Sequence, residues 1–176
     1  RRSFSPALSK ASILISLMLI DTHCHLTDGK LINQVEKVIE RAREAGVERI
    51  IVPTGGLLDG KKAIKMAEKY EGVWAMVGIH PEVLTGETNP EYRDEWLASG
   101  GDWVNRLREL SRSSDRVVGI GEIGLDFYYD KEKRSQEIQM RIFQEQLELA
   151  MELGLPVAIH MRAAETEMRQ VLGQME

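Results

Sequence analysis

Five alternations of a short β-rich run with an amphipathic helix, no hairpin signal between them, and polar residues gathered where the runs end predict an α/β fold. Strand–helix alternation means parallel strands joined by crossovers, so the choice lies between an open doubly wound sheet and a TIM (β/α)8 barrel. An open sheet binds its ligand at one switch point, whereas a barrel brings every strand end to one mouth. Here polar residues follow strands one, three, four and five, and the barrel is expected. About five βα units fit in 176 residues, against eight units and roughly 250 residues for a whole barrel. The chain therefore reads as the N-terminal part of a barrel whose two outer strands have bare edges.

Each element has a local reason. Strand one is read as Met18 to His25. The helix after it carries Leu31, Val35, Val38, Ala42 and Ala45 at helical spacing and stops at Gly46. Strand two, Val47 to Pro53, contains Ile50-Ile51-Val52, apolar on both faces as parallel strands covered on both sides must be. Thr54-Gly55-Gly56 and a Lys-rich helix through Tyr70 follow. Strand three runs from Val73 to His80 and is ended by Pro81. A loop, Glu82 to Asn89, leads into a helical region with Trp103, Val104, Leu107 and Leu110 on one face. Strand four, Val117 to Glu122, runs on into Ile123-Gly124-Leu125-Asp126. A clear helix carries Phe143, Leu147, Ala150 and Gly154, strand five is Pro156 to His160, and a last helical stretch begins near Ala163. Residues 1–17, with two leading arginines, several serines and no acid, read as an extension outside the core, leaving 18–176 as the barrel domain.

Composition narrows the function. No run reaches the ~18 apolar residues of a membrane helix. Acidic residues outnumber basic ones 28 to 23, for a formal charge of -5. That argues against a module that coats nucleic acid through Lys and Arg, but not against a nuclease, since bound metal ions supply local positive charge. The single cysteine, Cys24, excludes an internal disulfide and suits the cytoplasm. The lysines at 61, 62, 65 and 69 lie on a helix outside the barrel and read as a solvated face. No obligate protein partner is evident.

The histidines carry the chemistry. There are four, His23, His25, His80 and His160, and each sits where a strand ends. His23 and His25, two apart on a strand, face the same side, while Cys24 faces the helices. Glu122 ends a strand of Val, Ile and Gly, where a carboxylate is costly to bury unless paired or coordinated. Glycines 119, 121 and 124 keep the backbone slim for close approach by an ion or ligand. Taken singly, each residue has a plainer reading: a polar strand end, a salt bridge from Glu122 to Arg116 or Arg162, a core histidine. Taken together, two histidines, a carboxylate able to bridge and a third histidine suit two divalent metals about 3.5–4 Å apart. Imidazole and carboxylate leave Mg, Mn, Zn and Fe all open.

Asp21-Thr-His23-Cys-His25-Leu, Val77-Gly-Ile-His80-Pro81, Val118-Gly-Ile-Gly-Glu122-Ile-Gly-Leu-Asp126-Phe-Tyr and Leu155-Pro-Val-Ala-Ile-His160-Met-Arg162-Ala resemble, in order and spacing, four signature segments of the TatD metal-dependent deoxyribonucleases, which belong with the amidohydrolase-like enzymes. The resemblance implies a metal-dependent hydrolase barrel. It implies that His23 and His25 hold one metal, Glu122 bridges and His160 holds the second. His80 and Arg162 would meet the substrate phosphate, making Glu122, His80 and Arg162 the catalytic set, with Asp126 shaping the loop or supporting a metal-binding residue from behind. It further implies DNA as substrate, or transfer RNA if the chain acts as a D-aminoacyl-tRNA deacylase on the same metals. Family members carry a further histidine and a late aspartate that this sequence does not contain. Asp130, Glu132 and Glu165 are other carboxylates without an assigned place. A non-catalytic partial barrel is the remaining alternative.

Overall fold

The computed structural model describes residues 18–85, 90–128, 130 and 135–175. The extension at 1–17, residues 86–89 of the predicted loop, and Glu132 lie outside them. Five parallel strands, β1 (Leu19–Asp21), β2 (Val47–Val52), β3 (Val73–Val77), β4 (Val117–Asp126) and β5 (Val157–Arg162), pair strictly in chain order. Helices α1 (Val35–Glu44), α2 (Leu57–Lys69), α3 (Glu82–Thr85), α4 (Pro90–Ser99), α5 (Trp103–Arg112), α6 (Gln136–Leu153) and α7 (Glu165–Leu172) fill the connections. The sheet curls into a half-barrel of the TIM type.

The apolar periodicities bury as expected. Phe143, Leu147 and Ala150 of α6 pack on the sheet with Val73, Ala75, Val77 and Ile120, and Trp103 and Leu107 do so from α5. Gly154 ends α6 at φ 64, a left-handed cap that glycine adopts without a Cβ clash. Both outer strands leave apolar side chains bare, with Leu19 49% and Met161 47% exposed.

Several boundaries differ from the sequence reading: β3 stops at Val77, three residues short of His80, and β5 runs on to Arg162, so that His160 lies inside it rather than at its end. Strand one stops at Asp21, so His23 and His25 lie beyond it. Strand four continues to Asp126, still paired with β5 through Asp126 and Arg162. Gly124 permits this: its φ is 145, and a Cβ there would collide with the His160 carbonyl. The slim backbone of β4 thus admits the neighbouring strand rather than an ion, since Gly121 likewise sits against Ala158. Finally, the predicted loop after His80 begins with α3, and α4 follows it. Tyr92 and Trp96 of α4 are only half-buried and Leu97 is exposed, so no apolar stripe announces the helix.

Candidate metal centre

All five strands contribute residues to one mouth. After β1, the Cys24 N–H donates to Ile51 O (3.1 Å), holding this stretch against β2, and the Cys24 side chain packs on the apolar core. The flanking residues turn the other way: His23 Nε2 and His25 Nε2 stand 3.1 Å apart, with ring planes at 75°. After β2, Thr54 is fully buried and its backbone carbonyl accepts the Glu122 N–H at 2.9 Å, while Gly55 O accepts the His80 N–H at 3.1 Å. One short loop therefore sets the backbones of both the carboxylate and the third histidine.

Two buried glutamines on α6 complete the framework. Gln146 accepts the Ile79 N–H (2.7 Å) and donates to Ile79 O (3.1 Å), pinning the residue before His80. Gln139 does the same for Asp126, at 2.8 and 2.9 Å. Sequence reasoning passed over both, because a glutamine among apolar positions of a helix looks like any surface residue until the strand beside it is known.

Glu122, 7% exposed, is the hub. Its Oε2 lies 3.1 Å from His23 Nε2 and 3.4 Å from His25 Nε2; its Oε1 lies 3.2 Å from His160 Nδ1 and 3.9 Å from His80 Nε2. Neither arginine raised as a partner from the sequence takes that place: Arg116 lies over the Trp74 ring (4.9 Å to its centroid) and Arg162 over Tyr128 (3.8 Å). The His80 and His160 rings meet at 4.3 Å. His160 also reaches the fully buried Asp126, with Nε2 2.9 Å from Oδ2, while Asp126 Oδ1 accepts the Tyr128 N–H at 3.0 Å. Asp126 thus braces a histidine, the supporting part that the resemblance allowed it beside a loop-shaping one.

The electrostatics follow from this packing. Burial opposes the charge on Glu122 more than any other single influence, yet hydrogen bonds with His160 and His25 and the nearby His80 and His23 outweigh it. The carboxyl is held well below its usual range. The hydrogen bond with Glu122 raises His25, against a lesser opposing effect of burial. His160 is raised for the same first reason, with burial opposing and Asp126 assisting. His80 is lowered to about 4, by burial first and then by His160.

Two sets of donors have ligand atoms within 4.8 Å of one another: His23, His25 and Glu122, and His80, Glu122 and His160. Imidazole nitrogens with a shared ionised carboxylate form a donor set that first-row divalent cations accept. His23 and His25, with their two Nε2 atoms beside a Glu122 oxygen, are residues that would hold such an ion.

The site opens into a cleft of about 630 Å³. Among the described residues, Arg162 does not line it, and it stands two positions past His160 on β5. Lys62 does line it, which corrects the reading of all four lysines as an outer solvated face. The reason is polarity of the crossover: α2 begins directly after the mouth loop, so its first turns belong to the mouth. Lys61, by contrast, faces Glu95 (3.6 Å) and Lys65 is exposed. Asp130 accepts from the N–H and hydroxyl of Ser135, both at 2.9 Å, and Glu165 opens α7.

Residues 20–176 match the family model of TatD-related DNases. The chain belongs to the TatD family. Similar proteins include the metal-dependent hydrolase YabD of Bacillus subtilis, 37% identical over 88% of this chain and 55% of that one. The 3'-5' ssDNA/RNA exonuclease TatD of Pantoea ananatis is 36% identical over 88% and 54%. Among solved structures, the TatD homologue YjjV of Escherichia coli superposes with a TM-score of 0.74 at 28% identity, covering 91% of this chain and 57% of that one. The chain thus spans about half the length of the curated relatives it matches. Among the described residues, no helix is long and apolar enough to cross a membrane.

Proposed function

We propose that this protein hydrolyses phosphodiester bonds of DNA with two divalent cations, one held by His23 and His25, the second by His160, and both by Glu122. The observation that carries the reading is the split of the Glu122 carboxylate, with one oxygen toward His23 and His25 and the other toward His160 and His80. Bound there, divalent cations would acidify a water for attack and stabilise charge on the phosphoryl oxygens.

The chain's own groups divide the remaining work. Glu122 stays ionised because four imidazoles surround it, so it presents both oxygens at neutral pH. Asp126 takes the proton side of His160 at Nε2 and leaves Nδ1 toward Glu122. His80 lies close enough to ligate, but its Nδ1 accepts the Glu82 N–H at 3.3 Å. A neutral imidazole with Nδ1 accepting carries its proton on Nε2, so His80 Nε2 serves better as a donor to a phosphoryl oxygen than as a ligand. The low pKa of His80 keeps it neutral in that task. Arg162 does not line the cleft but lies near enough to the cleft-lining Glu82 to act on its charge, and it is the second group for the phosphate, where a guanidinium offers two parallel donors. The lone free thiol, Cys24, agrees with a cytoplasmic setting.

The test is manganese- or magnesium-dependent release of nucleotides from single-stranded DNA by the full-length protein, with Glu122→Ala and elemental analysis beside it. Turnover and bound metal should fall together. Unchanged metal content in Glu122→Ala would refute the site, and hydrolysis of D-aminoacyl-tRNA in place of DNA would move the substrate to the ester.

A further inference from the structure

The cleft is larger than one phosphate group and its cations require, and its volume of about 630 Å³ is that of a nucleotide-sized ligand site. One wall consists of residues to which the hydrolytic reading gives no part: Asp59 and Lys62 from α2 and Tyr92 from α4. This wall is tightly built. Asp59, 4% exposed, accepts the Gly55 N–H at Oδ2 (2.9 Å) and the Tyr92 hydroxyl at Oδ1 (3.0 Å). The Tyr92 side chain lies so close to the mouth loop that a Cβ on Gly56 would come within 3.3 Å of it. Lys62 Nζ stands 5.6 Å from the Tyr92 ring centroid. Because Gly55 also takes the His80 N–H, the wall and His80 share one anchor.

Charge gives the wall its meaning. Among the described residues, the cleft is lined by four carboxylates, Asp28, Asp59, Glu82 and Glu122, and by a single lysine or arginine, Lys62. A nucleic-acid strand brings a phosphate on either side of the one being cut. Cations at Glu122 answer the scissile group and leave its neighbours facing acid. Lys62 is the fixed charge that can meet a neighbour, with an aromatic ring beside it of the kind on which bases stack.

Resting on the phosphodiesterase reading, we propose that Lys62 and Tyr92 form a subsite for the nucleotide adjoining the scissile phosphate. The ammonium pairs with the adjoining phosphate and the ring stacks on the base. Asp59 positions the tyrosine.

Binding of a fluorescein-labelled oligothymidylate to the full-length protein, in calcium to suppress turnover, tests this by fluorescence anisotropy across a salt series. Each phosphate contact to a single strand contributes about 0.7 to the slope of log affinity against log salt. Lys62→Ala should lower the slope by about that amount, so the wild type's advantage over it shrinks roughly 2.6-fold between about 50 and about 200 mM salt. Lys62→Arg should restore the slope, and Lys65→Ala, on the exposed side of the same helix, should leave it alone. Tyr92→Ala should cost at least about fivefold in affinity, while Tyr92→Phe, which keeps the ring but gives up the hydrogen bond to Asp59 that positions it, should lose less. An unchanged slope in Lys62→Ala, or equal loss in Tyr92→Phe and Tyr92→Ala, overturns the subsite. Wild-type protein that shows this pattern but cleaves no DNA would sink the hydrolytic reading and leave the subsite standing.

Discussion

Replacing Asp126 by asparagine changes one atom and should disable one half of the proposed metal centre. In the structure the two carboxylate oxygens have separate duties: Oδ1 accepts the Tyr128 N–H (3.0 Å) and Oδ2 faces His160 Nε2 (2.9 Å). An asparagine has one oxygen and one amino group. If its oxygen stays with Tyr128, the amino group faces Nε2, which must then accept. A neutral imidazole accepting at Nε2 carries its proton on Nδ1, the atom turned toward Glu122, and no lone pair is left for a cation. If the amide flips, two N–H groups confront each other at a fully buried position, at a cost of about 1–3 kcal/mol. Either way, affinity for the ion at His160 should fall by roughly 5- to 150-fold, in keeping with the 10- to 100-fold typical of residues that orient a metal-binding histidine. Competition against a fluorescent chelator measures the affinity, and nitrogen NMR of the histidine rings reads the tautomer. Wild-type affinity together with an unchanged Nε2–H tautomer would refute the argument. An unaltered thermal unfolding midpoint shows that the loss is local.

Two further predictions concern titration and stability. In the metal-free protein, proton NMR should find His80 titrating near 4 and His25 and His160 above the ordinary 6.5. The signs are opposite: His80's contribution to stability is complete above pH 6.5 and is lost as the pH falls toward 4. Those of His25 and His160 are complete below 6.5 and lost as the pH rises through their folded values. Cation binding must displace protons from the latter pair, so affinity should decline as the pH falls through their range; pH-independent affinity would contradict this. Gln146→Leu strands the buried N–H and carbonyl of Ile79, and urea unfolding should show a loss of about 1–3 kcal/mol for each group. An unchanged midpoint would mean that this clamp does not hold the strand leading to His80.

The sequence by itself determines the parallel α/β fold and the residue types of the proposed metal centre. Both are written in short-range pattern: both-face apolar runs such as Ile50-Ile51-Val52, the α6 face of Phe143, Leu147 and Ala150, and histidines where the runs end. What only the tertiary structure decides is which of the bystanders join them. The resemblance allowed Asp126 a supporting part but did not name His160, 34 residues away, as the residue it braces, and Gln139, Gln146, Lys62 and Tyr92 are silent in the sequence. Their roles arise when the curled sheet brings loops and helix ends from distant segments to one mouth. Hydrogen bonds made across that mouth depend on distances that no spacing along the chain encodes.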